Sequence, residues 1–381
     1  MKTYSLLFWT GLILISNSCK NRSTPTEVPA QATININDAQ TMNYQPLLDS
    51  INYIPLETTD QSLIGNIGKI YITPSNILIF DSKQTAILLF DKEGKFIRKI
   101  GQKGRGPEEY LFFNEIVFDK KTEIIYAHER YLNKMFKYNL KGELLEQIPS
   151  KFEFNSFCKA PEGYWLYSCF KENNPKGYNL MLVDEKMQNL TTGFFPQNAA
   201  FVNATFNSTF SQDHSGISYF VYPTSNIIYK LDTEKPVPYF QINFGEKNMP
   251  YEKIKELSSS EEYDKLVNEK RYLGDISNLL CFQNYLLFSF NESGFYKPIK
   301  FYFACLNTSN SKVSIYNSYS HFLPFQISYT ILGTTEKALI YSISPVLLDE
   351  NEIDALKKEK NINTTVDSNP ILAFFYTRTL N

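Results

Sequence analysis

A glycine-rich loop is the part of this sequence with the clearest potential for chemistry. It reads Gly101-x-x-Gly104-x-Gly106-Pro107 and continues into Glu108-Glu109-Tyr110. Glycines at such spacing cradle a phosphate when the loop opens a helix. Here the chain runs on into Leu111-Phe112-Phe113, a predicted strand. We therefore interpret the glycines as turn residues and expect no nucleotide site.

The same loop supplies the candidate ligand site. If it crosses from an outer strand to the next inner one, Arg105, Glu109 and Tyr110 would line the mouth of a central channel. An arginine grips carboxylate or phosphate groups, and a tyrosine stacks on a sugar ring. His128 and Arg130 complete the five candidate ligand-binding residues. The structural alternative, which the sequence favours, is that Arg105 and Glu109 pair with each other or with neighbours to hold two repeats together.

Catalytic and metal-binding signatures are weak. The three histidines, His128, His214 and His321, lie far apart, and no paired-histidine spacing occurs. A Ser-His-Asp triad assembled from distant segments stays open, but nothing marks a nucleophile elbow. We predict no catalytic residues, no metal and no cofactor, and we favour a non-enzymatic protein over an enzyme.

The N-terminus predicts export and a lipid anchor. Lys2 precedes an apolar run over residues 4–15, which is too short to span a bilayer as a mature helix. Ser18 then stands directly before Cys19, as in a bacterial lipobox, although Ser16 occupies a position where that pattern prefers Leu. We predict a lipoprotein signal peptide over residues 1–18, acylation of Cys19 and a flexible tether over residues 19–44. An ordinary secretory signal is the alternative.

Composition narrows the remaining possibilities. The chain has 38 basic and 40 acidic residues, so no electrostatic argument favours nucleic acid as a partner. Four further cysteines lie in apolar runs without Cys-x-x-Cys spacing, and we predict buried free thiols there rather than a disulfide. They are Cys158, Cys169, Cys281 and Cys305.

A short phrase recurs along the chain: apolar residues, then Asp or Asn, then a Gly-centred turn. It occurs over residues 89–96 and 137–144, with looser echoes around Asp184 and Asp232. The polar anchors are 48, 45 and 48 residues apart (139 − 91, 184 − 139, 232 − 184). That period is typical of propeller blades of four strands.

The period predicts an all-β fold, a six-bladed β-propeller over residues 45–381. The predicted blades are residues 67–100, 115–148, 152–195, 201–244, 276–316 and 326–377, with helical insertions at about 247–270 and 349–360. The sixth blade lacks one strand, which the segment 51–56 can supply to close the ring. Residues 33–37 are the rival for that role. Most Tyr and Phe in the strands are expected to be core.

Four stretches carry a resemblance to a known group. They are Ile54-Pro55-Leu56-Glu57-Thr58-Thr59, Leu63-Ile64-Gly65-Asn66-Ile67, residues 100–110 and residues 367–372. The chain resembles six-bladed β-propeller lipoproteins of Bacteroidetes, distant relatives of NHL-repeat propellers. The resemblance implies the fold and a place in the cell envelope, and little more. We predict a lipid-anchored protein at the outer membrane, on its surface or periplasmic side. The sequence departs from NHL patterns at His128-Glu129-Arg130, where an acidic turn-opening residue is commoner.

These observations favour a binding protein. We expect its propeller surface to bind a glycan, a peptide or a partner protein, while lipid on Cys19 holds it to a membrane. One alternative is a glycan lyase or hydrolase with its site at the channel mouth, which would need His, Arg and acidic side chains converging on the axis. The other is a scaffold subunit of a nutrient-uptake complex.

Overall fold

The computed structural model describes residues 29–43, 48–169, 177–196, 210–223, 225–292, 300–319 and 330–378. Within them, six β-sheets follow one another along the chain. The first strands of neighbouring sheets contact each other, and the Tyr71 hydroxyl donates to the Ile116 carbonyl (3.0 Å) between the first two blades. The chain is therefore a six-bladed β-propeller, as its period predicts.

Three strands precede the first complete blade: β1 (Ala30–Thr33), β2 (Gln40–Met42) and β3 (Leu48–Pro55). Blade one contains β4 (Ile67–Ile72), β5 (Asn76–Asp81), β6 (Ala86–Asp91) and β7 (Phe96–Ile100). Blade two contains β8 (Phe113–Asp119), β9 (Ile124–Glu129), β10 (Lys134–Tyr138) and β11 (Leu144–Pro149). Blade three contains β12 (Ser156–Ala160), β13 (Gly163–Tyr167), β14 (Tyr178–Val183) and β15 (Leu190–Pro196).

Blade four contains β16 (Phe210–Gln212), β17 (Ser218–Val221), β18 (Ile227–Leu231) and β19 (Pro236–Asn243). Helices α1 (Tyr251–Ile254) and α2 (Ser260–Lys270) follow it. Blade five contains β20 (Leu273–Phe282), β21 (Tyr285–Glu292), β22 (Phe301–Asn307) and β23 (Val313–Tyr319). Blade six contains β24 (Gly333–Thr334), β25 (Ala338–Ile343) and β26 (Ile371–Thr377), with α3 (Glu350–Lys360) inserted before β26.

The recurring phrase is the hairpin turn between the third and fourth strands. The Asp91 carboxylate accepts hydrogen bonds from the backbone of Glu93 (3.0 Å) and Lys95 (2.8 Å), and Asn139 does the same for its own turn 48 residues later. Gly94 and Gly142 have φ of 85° and 84°, which glycine adopts without a Cβ clash. A local backbone requirement thus explains the repeat.

The core consists of six apolar clusters, and each lies between two adjacent blades. Both faces of every blade are therefore covered, which explains why strands such as β13 are buried at every residue. The aromatic clusters around Trp165, Phe220 and Phe303 are core, as expected. Phe301 is the exception, with 67% of its side chain exposed.

The ring closes through β3, which pairs antiparallel with β26 as the fourth strand of blade six. Beyond the paired strands, Asn369 joins the two ends of the chain. Its side-chain amide donates to the carbonyls of Glu57 (2.7 Å) and Ser62 (2.8 Å), and its oxygen accepts from the backbone of Ile64 (2.9 Å). The predicted closure by residues 51–56 is confirmed.

The N-terminal segment is more ordered than the predicted tether over 19–44. Strand β1 pairs parallel with β19 of blade four, and β2 pairs parallel with β23 of blade five. Alternation places Ala32 and Ile34 inward, at 1% and 4% exposure. The tether prediction is therefore wrong from Ala30 onward, because the outer edges of two blades bind this segment.

Two other expectations for strands need correction. The rival closing segment, residues 33–37, ends β1 and enters a 3-10 turn over Ile36–Asp38 instead of joining blade six. Blade six was predicted to begin at residue 326, but residues 326–329 lie outside the described residues. The described part of its first strand is only β24, Gly333–Thr334.

Both helical insertions are present. Ser259 caps α2 by accepting from the Glu262 backbone, and Ile254 and Val267 are buried between blades three and four. Asp349 and Glu352 form a capping box at the start of α3. No disulfide joins the four cysteines within the described residues, as expected; Cys158 and Cys281 are buried, whereas Cys169 and Cys305 are only half-buried.

Replacing Asn369 by alanine should weaken ring closure. The change leaves two carbonyls and one amide without their partner, so we expect the free energy of unfolding to fall by about 1–3 kcal/mol. Urea denaturation followed by tryptophan fluorescence measures the loss. Asn363→Ala, at an exposed residue of the same connection, is the matched control and should change stability by less than about 0.5 kcal/mol. Equal losses in both variants would contradict this role.

Candidate functional site

Successive strands of each blade run in opposite directions, so the propeller has two distinct faces. The connections between second and third strands, and the crossings between blades, emerge together on what we call the loop face. The tight turns between first and second strands, and between third and fourth, emerge on the opposite hairpin face. The glycine-rich loop crosses from β7 to β8 and therefore belongs to the loop face.

Glu109 is a structural residue of that loop. Its carboxylate accepts hydrogen bonds from the Gly106 backbone (2.7 Å) and from the Gln102 side chain (2.8 Å). A Cβ on Gly104 would collide with this carboxylate. The glycines thus make room for an internal carboxylate, and the loop does not hold a phosphate cradle.

Tyr110 belongs to the core, since 3% of it is exposed. Its ring stacks on Phe113 at 3.8 Å between centroids, and burial raises the pKa of its hydroxyl to about 12. Arg105 is exposed on the same loop, and within the described chain no ion pair joins it to Glu109. Of the two forms of the structural alternative, Arg105 and Glu109 do not pair with each other, whereas Glu109 does pair with its neighbours in the loop.

His128 is also buried, at 1% exposure, and its ring stacks on Phe154 at 3.8 Å. Its Nε2 lies 3.4 Å from Asn133 Oδ1. Burial lowers the pKa of His128 to about 3, so the imidazole is neutral at physiological pH. Arg130, two residues on, is exposed. Of the five predicted ligand-binding residues, Arg105 and Arg130 are exposed, Glu109 is half-buried, and Tyr110 and His128 are buried.

Glu129 was missed by the sequence reasoning. It is fully buried, and its carboxylate accepts from the backbones of Phe112 (2.9 Å) and Leu132 (2.5 Å). Asp81 stands 48 residues earlier and binds the backbones of Gly65 (2.6 Å) and Asn66 in the same way. The sequence was expected to lack the acidic turn-opening residue of NHL patterns at His128-Glu129-Arg130. That expectation is wrong, because Glu129 is the acidic residue that opens the turn.

A third buried carboxylate extends this pattern to blade five. Glu292 ends β21 and forms ion pairs with Lys247 (3.2 Å) and Arg271 (3.1 Å), which lie on either side of the helical insertion. Like Asp81 and Glu129, it joins the end of a second strand to the segment entering that blade. Buried carboxylates with charged or backbone donors therefore hold the crossings of the loop face in place.

The loop face also carries most of the exposed apolar surface. Of the nine exposed large hydrophobic residues among those described, six lie in its connections and a seventh, Phe301, begins strand β22 at the loop-face end, whereas the hairpin turns carry none. They are Leu63, Tyr131, Leu132, Phe301, Val346, Leu347 and Val366. The remaining two, Ile97 and Leu145, lie at equivalent positions on the outer strands β7 and β11.

Two groups stand out within this surface. The blade-two patch consists of Arg130, Tyr131 and Leu132, with the Tyr131 ring edge-on to Phe112 at 5.7 Å between centroids. Tyr131 is 71% exposed, so most of an aromatic side chain is offered to solvent.

The blade-six patch consists of Leu63, Val346, Leu347 and Val366. Val346 and Leu347 leave β25 at the same end at which Val366 approaches β26. Asn369, through its bond to Ile64, brings the connection containing Leu63 to the same place. Ring closure therefore fixes the relative positions of the connections that carry Leu63 and Val366.

The hairpin face has a polar channel mouth. Turns from blades two, four and six bring Lys120, Asp213, His214 and Glu336 within electrostatic reach of one another. Partial burial lowers the pKa of Lys120, and burial together with the Lys120 charge lowers the pKa of His214. His214 Nε2 is buried without a hydrogen-bond partner among the described residues.

An ion pair lies between blades one and two. Lys69 contacts Glu115, and both side chains are largely buried. Although burial opposes its charge, the Glu115 carboxylate keeps the pKa of Lys69 above its usual range. Among the described residues, no three His, Cys, Asp or Glu side chains gather as a metal site would require. No helix in that part of the chain is long and apolar enough to span a bilayer.

Comparisons with known proteins agree with the fold. Residues 31–376 match the family model "Domain of unknown function (DUF4934)". A Bacteroides fragilis protein named as exported has a similar structure, with TM-score 0.71, 15% identity, and coverage of 92% of this chain and 100% of its own. A DUF4221 member from Bacteroides vulgatus follows at TM-score 0.56 and 13% identity, covering 87% and 97%. No curated protein matches the chain in sequence.

The buried imidazole of His128 should make stability depend on pH. Its pKa is about 3 in the folded chain and near 6.5 when unfolded, so only the unfolded state gains a proton between these values. The contribution of His128 to the free energy of unfolding is therefore fully present above pH 6.5, and it decreases as the pH falls below 6.5. Between pH 7 and 5 the loss is about 2 kcal/mol.

The test compares urea denaturation of the wild type and His128→Gln at pH 7 and pH 5. The variant should lose about 2 kcal/mol less over this range, since glutamine does not titrate. His214→Gln, at the half-buried histidine, is the comparison and should change the pH dependence less. An unchanged pH dependence in His128→Gln would show that this imidazole is open to solvent.

Proposed function

This chain belongs to the DUF4934 family of domains of unknown function, and from that premise we propose that it is an exported binding protein of the cell envelope. Its loop face binds another protein, and lipid on Cys19 holds the domain to a membrane. The chain has no catalytic role of its own in this proposal. Cys19 lies outside the described residues, so the anchor rests on the pattern that ends at Ser18-Cys19.

The observation that carries the proposal is the concentration of exposed apolar side chains on one face. Monomeric soluble proteins scatter such residues, whereas a collection on one rigid surface is typical of an interaction site. Aliphatic side chains such as Val346 and Leu347 offer apolar area without hydrogen bonds. A glycan would need aromatic platforms together with polar partners, so a protein partner fits the blade-six patch better.

The location has separate support. The similar protein from Bacteroides fragilis is named as exported, and we extend that location to this chain. The apolar run over residues 4–15 and Cys19 are typical of a lipoprotein signal. We propose that the domain lies at the outer membrane, on either its surface or its periplasmic side.

Substitutions of exposed apolar residues on the loop face should weaken the binding of the partner protein. We expect Val346→Ser with Leu347→Ser, and Tyr131→Ser with Leu132→Ser, each to weaken binding at least tenfold, because each pair removes apolar area worth about 1.5–3 kcal/mol per fully buried side chain. The measurement is quantitative recovery of crosslinked partners by the tagged full chain in envelopes of its own cells, followed by titration of the partner identified.

Ile97→Ser with Leu145→Ser is the matched control, since it removes two exposed apolar residues from outside the loop face. It should leave the affinity unchanged. Loss of binding in the control alone would contradict the proposal. It would also be contradicted by a soluble glycan that binds equally well to the wild type and to both loop-face variants. A transporter as the recovered partner would make the chain a scaffold subunit of an uptake complex.

One observation favours an enzyme as the second candidate. His214, Lys120 and two carboxylates meet at the hairpin end of the channel, and the buried His214 Nε2 has no hydrogen-bond partner among the described residues. A glycan lyase or hydrolase would place its acid or base there. Turnover of envelope glycans that is lost in His214→Gln and kept in His128→Gln would favour this candidate over the binding protein.

A further inference from the structure

The direction of strand β1 indicates on which face of the propeller the chain from Cys19 enters. Strand β19 runs from the hairpin face at Pro236 to the loop face at Asn243. Strand β1 lies parallel to it, with Ala30 opposite Phe240 and Thr33 opposite Asn243. The chain therefore enters blade four while travelling away from the hairpin face.

This entry point is firmly attached. Ala32 and Ile34 are buried between blades four and five, and the Ile34 backbone donates to the Asn243 carbonyl (2.9 Å). The segment then pairs with blade five through β2 and with blade six through β3. A pull on the anchor is thus transmitted to three blades, and the propeller follows the orientation of β1.

The distance from Cys19 is short. Ten residues, 20–29, separate it from Ala30, and an extended chain covers at most about 3.3–3.6 Å per residue, hence roughly 36–40 Å. From Ala30 the hairpin end of β19 is four residues away, about 14 Å. A chain of this length reaches a bilayer beneath the hairpin face, and it also covers the about 10 Å from Ala30 to the loop-face end of β19, so the direction of β1 and not the length distinguishes the two faces. Reaching a bilayer above the loop face would require it to reverse.

The chemistry of the two faces agrees with this direction. The hairpin turns are polar, as in Asp91–Lys95 and Asp232–Lys235, and none carries an exposed large apolar residue. Headgroups accommodate such turns without inserting them. The apolar patches of the loop face then remain available to a partner rather than to lipid.

We infer that the protein stands on the membrane with its hairpin face toward the headgroups and its loop face directed away from them. This inference rests on the proposed lipid at Cys19. The surface that meets the membrane is the polar hairpin face, and the partner of that face is a lipid bilayer. The loop face is thereby presented to proteins that extend from the membrane or approach from solution.

Two glutamates at opposite ends of β19 offer a matched pair of labelling sites. Glu234 lies in the hairpin turn before β19, and Glu246 lies in the 3-10 turn that follows it; both are exposed. The eight residues of β19 separate them by about 27 Å. Glu234→Cys and Glu246→Cys each introduce one reactive thiol, whereas Cys158 and Cys281 are buried and burial raises the pKa of both to about 12.

The experiment uses the lipidated full chain, purified in detergent and incorporated into phosphatidylethanolamine–phosphatidylglycerol vesicles with an acceptor dye on a fraction of headgroups. Each variant carries a donor dye on its new thiol, and the labelled wild type gives the background. We expect energy transfer to the headgroups to be several-fold more efficient from Glu234→Cys than from Glu246→Cys. Inserting twenty Gly and Ser residues after Thr24 should shrink that difference, because a long tether no longer sets orientation.

The outcomes separate the two claims. If the lipidated chains do not float with the vesicles, or float no better than Cys19→Ala, the lipid anchor is wrong and this inference falls with it. If they float but Glu246→Cys transfers energy as well as or better than Glu234→Cys, the anchor stands and the orientation is overturned. In that case the apolar residues of the loop face contact lipid.

Discussion

Closure of the ring is the constraint on which the rest of this structure depends. Six apolar clusters fill six interfaces, and the last of them forms only when β3, from near the start of the chain, pairs with β26 at its end. Without that pairing, blades one and six would each expose a buried face. Stability in this fold is therefore cooperative around the circle, although each contact is made between neighbours.

Closure also fixes the connections that carry the exposed apolar residues of the loop face. Asn369 and the buried carboxylate of Asp81 hold the crossing between blades six and one, and the buried carboxylates of Glu129 and Glu292 hold two other crossings. The exposed apolar residues therefore stand on connections fixed at their bases. A surface with fixed geometry loses little conformational entropy when it binds, which is what a recognition face requires.

Much of the fold could be predicted from the sequence because its cause is local. Asp91 with Gly94, and Asn139 with Gly142, satisfy a tight turn by themselves, so their spacing reports the blade period directly. Strands β1 and β2 could not be predicted in this way. Their short segment pairs only because blades four and five present free outer edges, a fact of tertiary structure.

The site was harder to predict. Tyr110 and His128 look like ligand-binding residues in the sequence, but Phe113 and Phe154 stack on them once the strands are assembled. Glu129 could have been found, since it lies 48 residues after Asp81 in the established register. The apolar patches could not, because an exposed Val or Leu in a connection has the same sequence appearance as a buried one.

Hydrogen exchange under native conditions tests the closed ring most directly. If β3 is an integral strand of blade six, the amides of Ser50, Asn52 and Ile54, which face β26 in the register, should be protected to the same free energy as those of β25 and β26, because all three strands open together. Fast exchange along β3 while β25 and β26 stay protected would contradict the account, since the propeller would then hold together without its N-terminal strand.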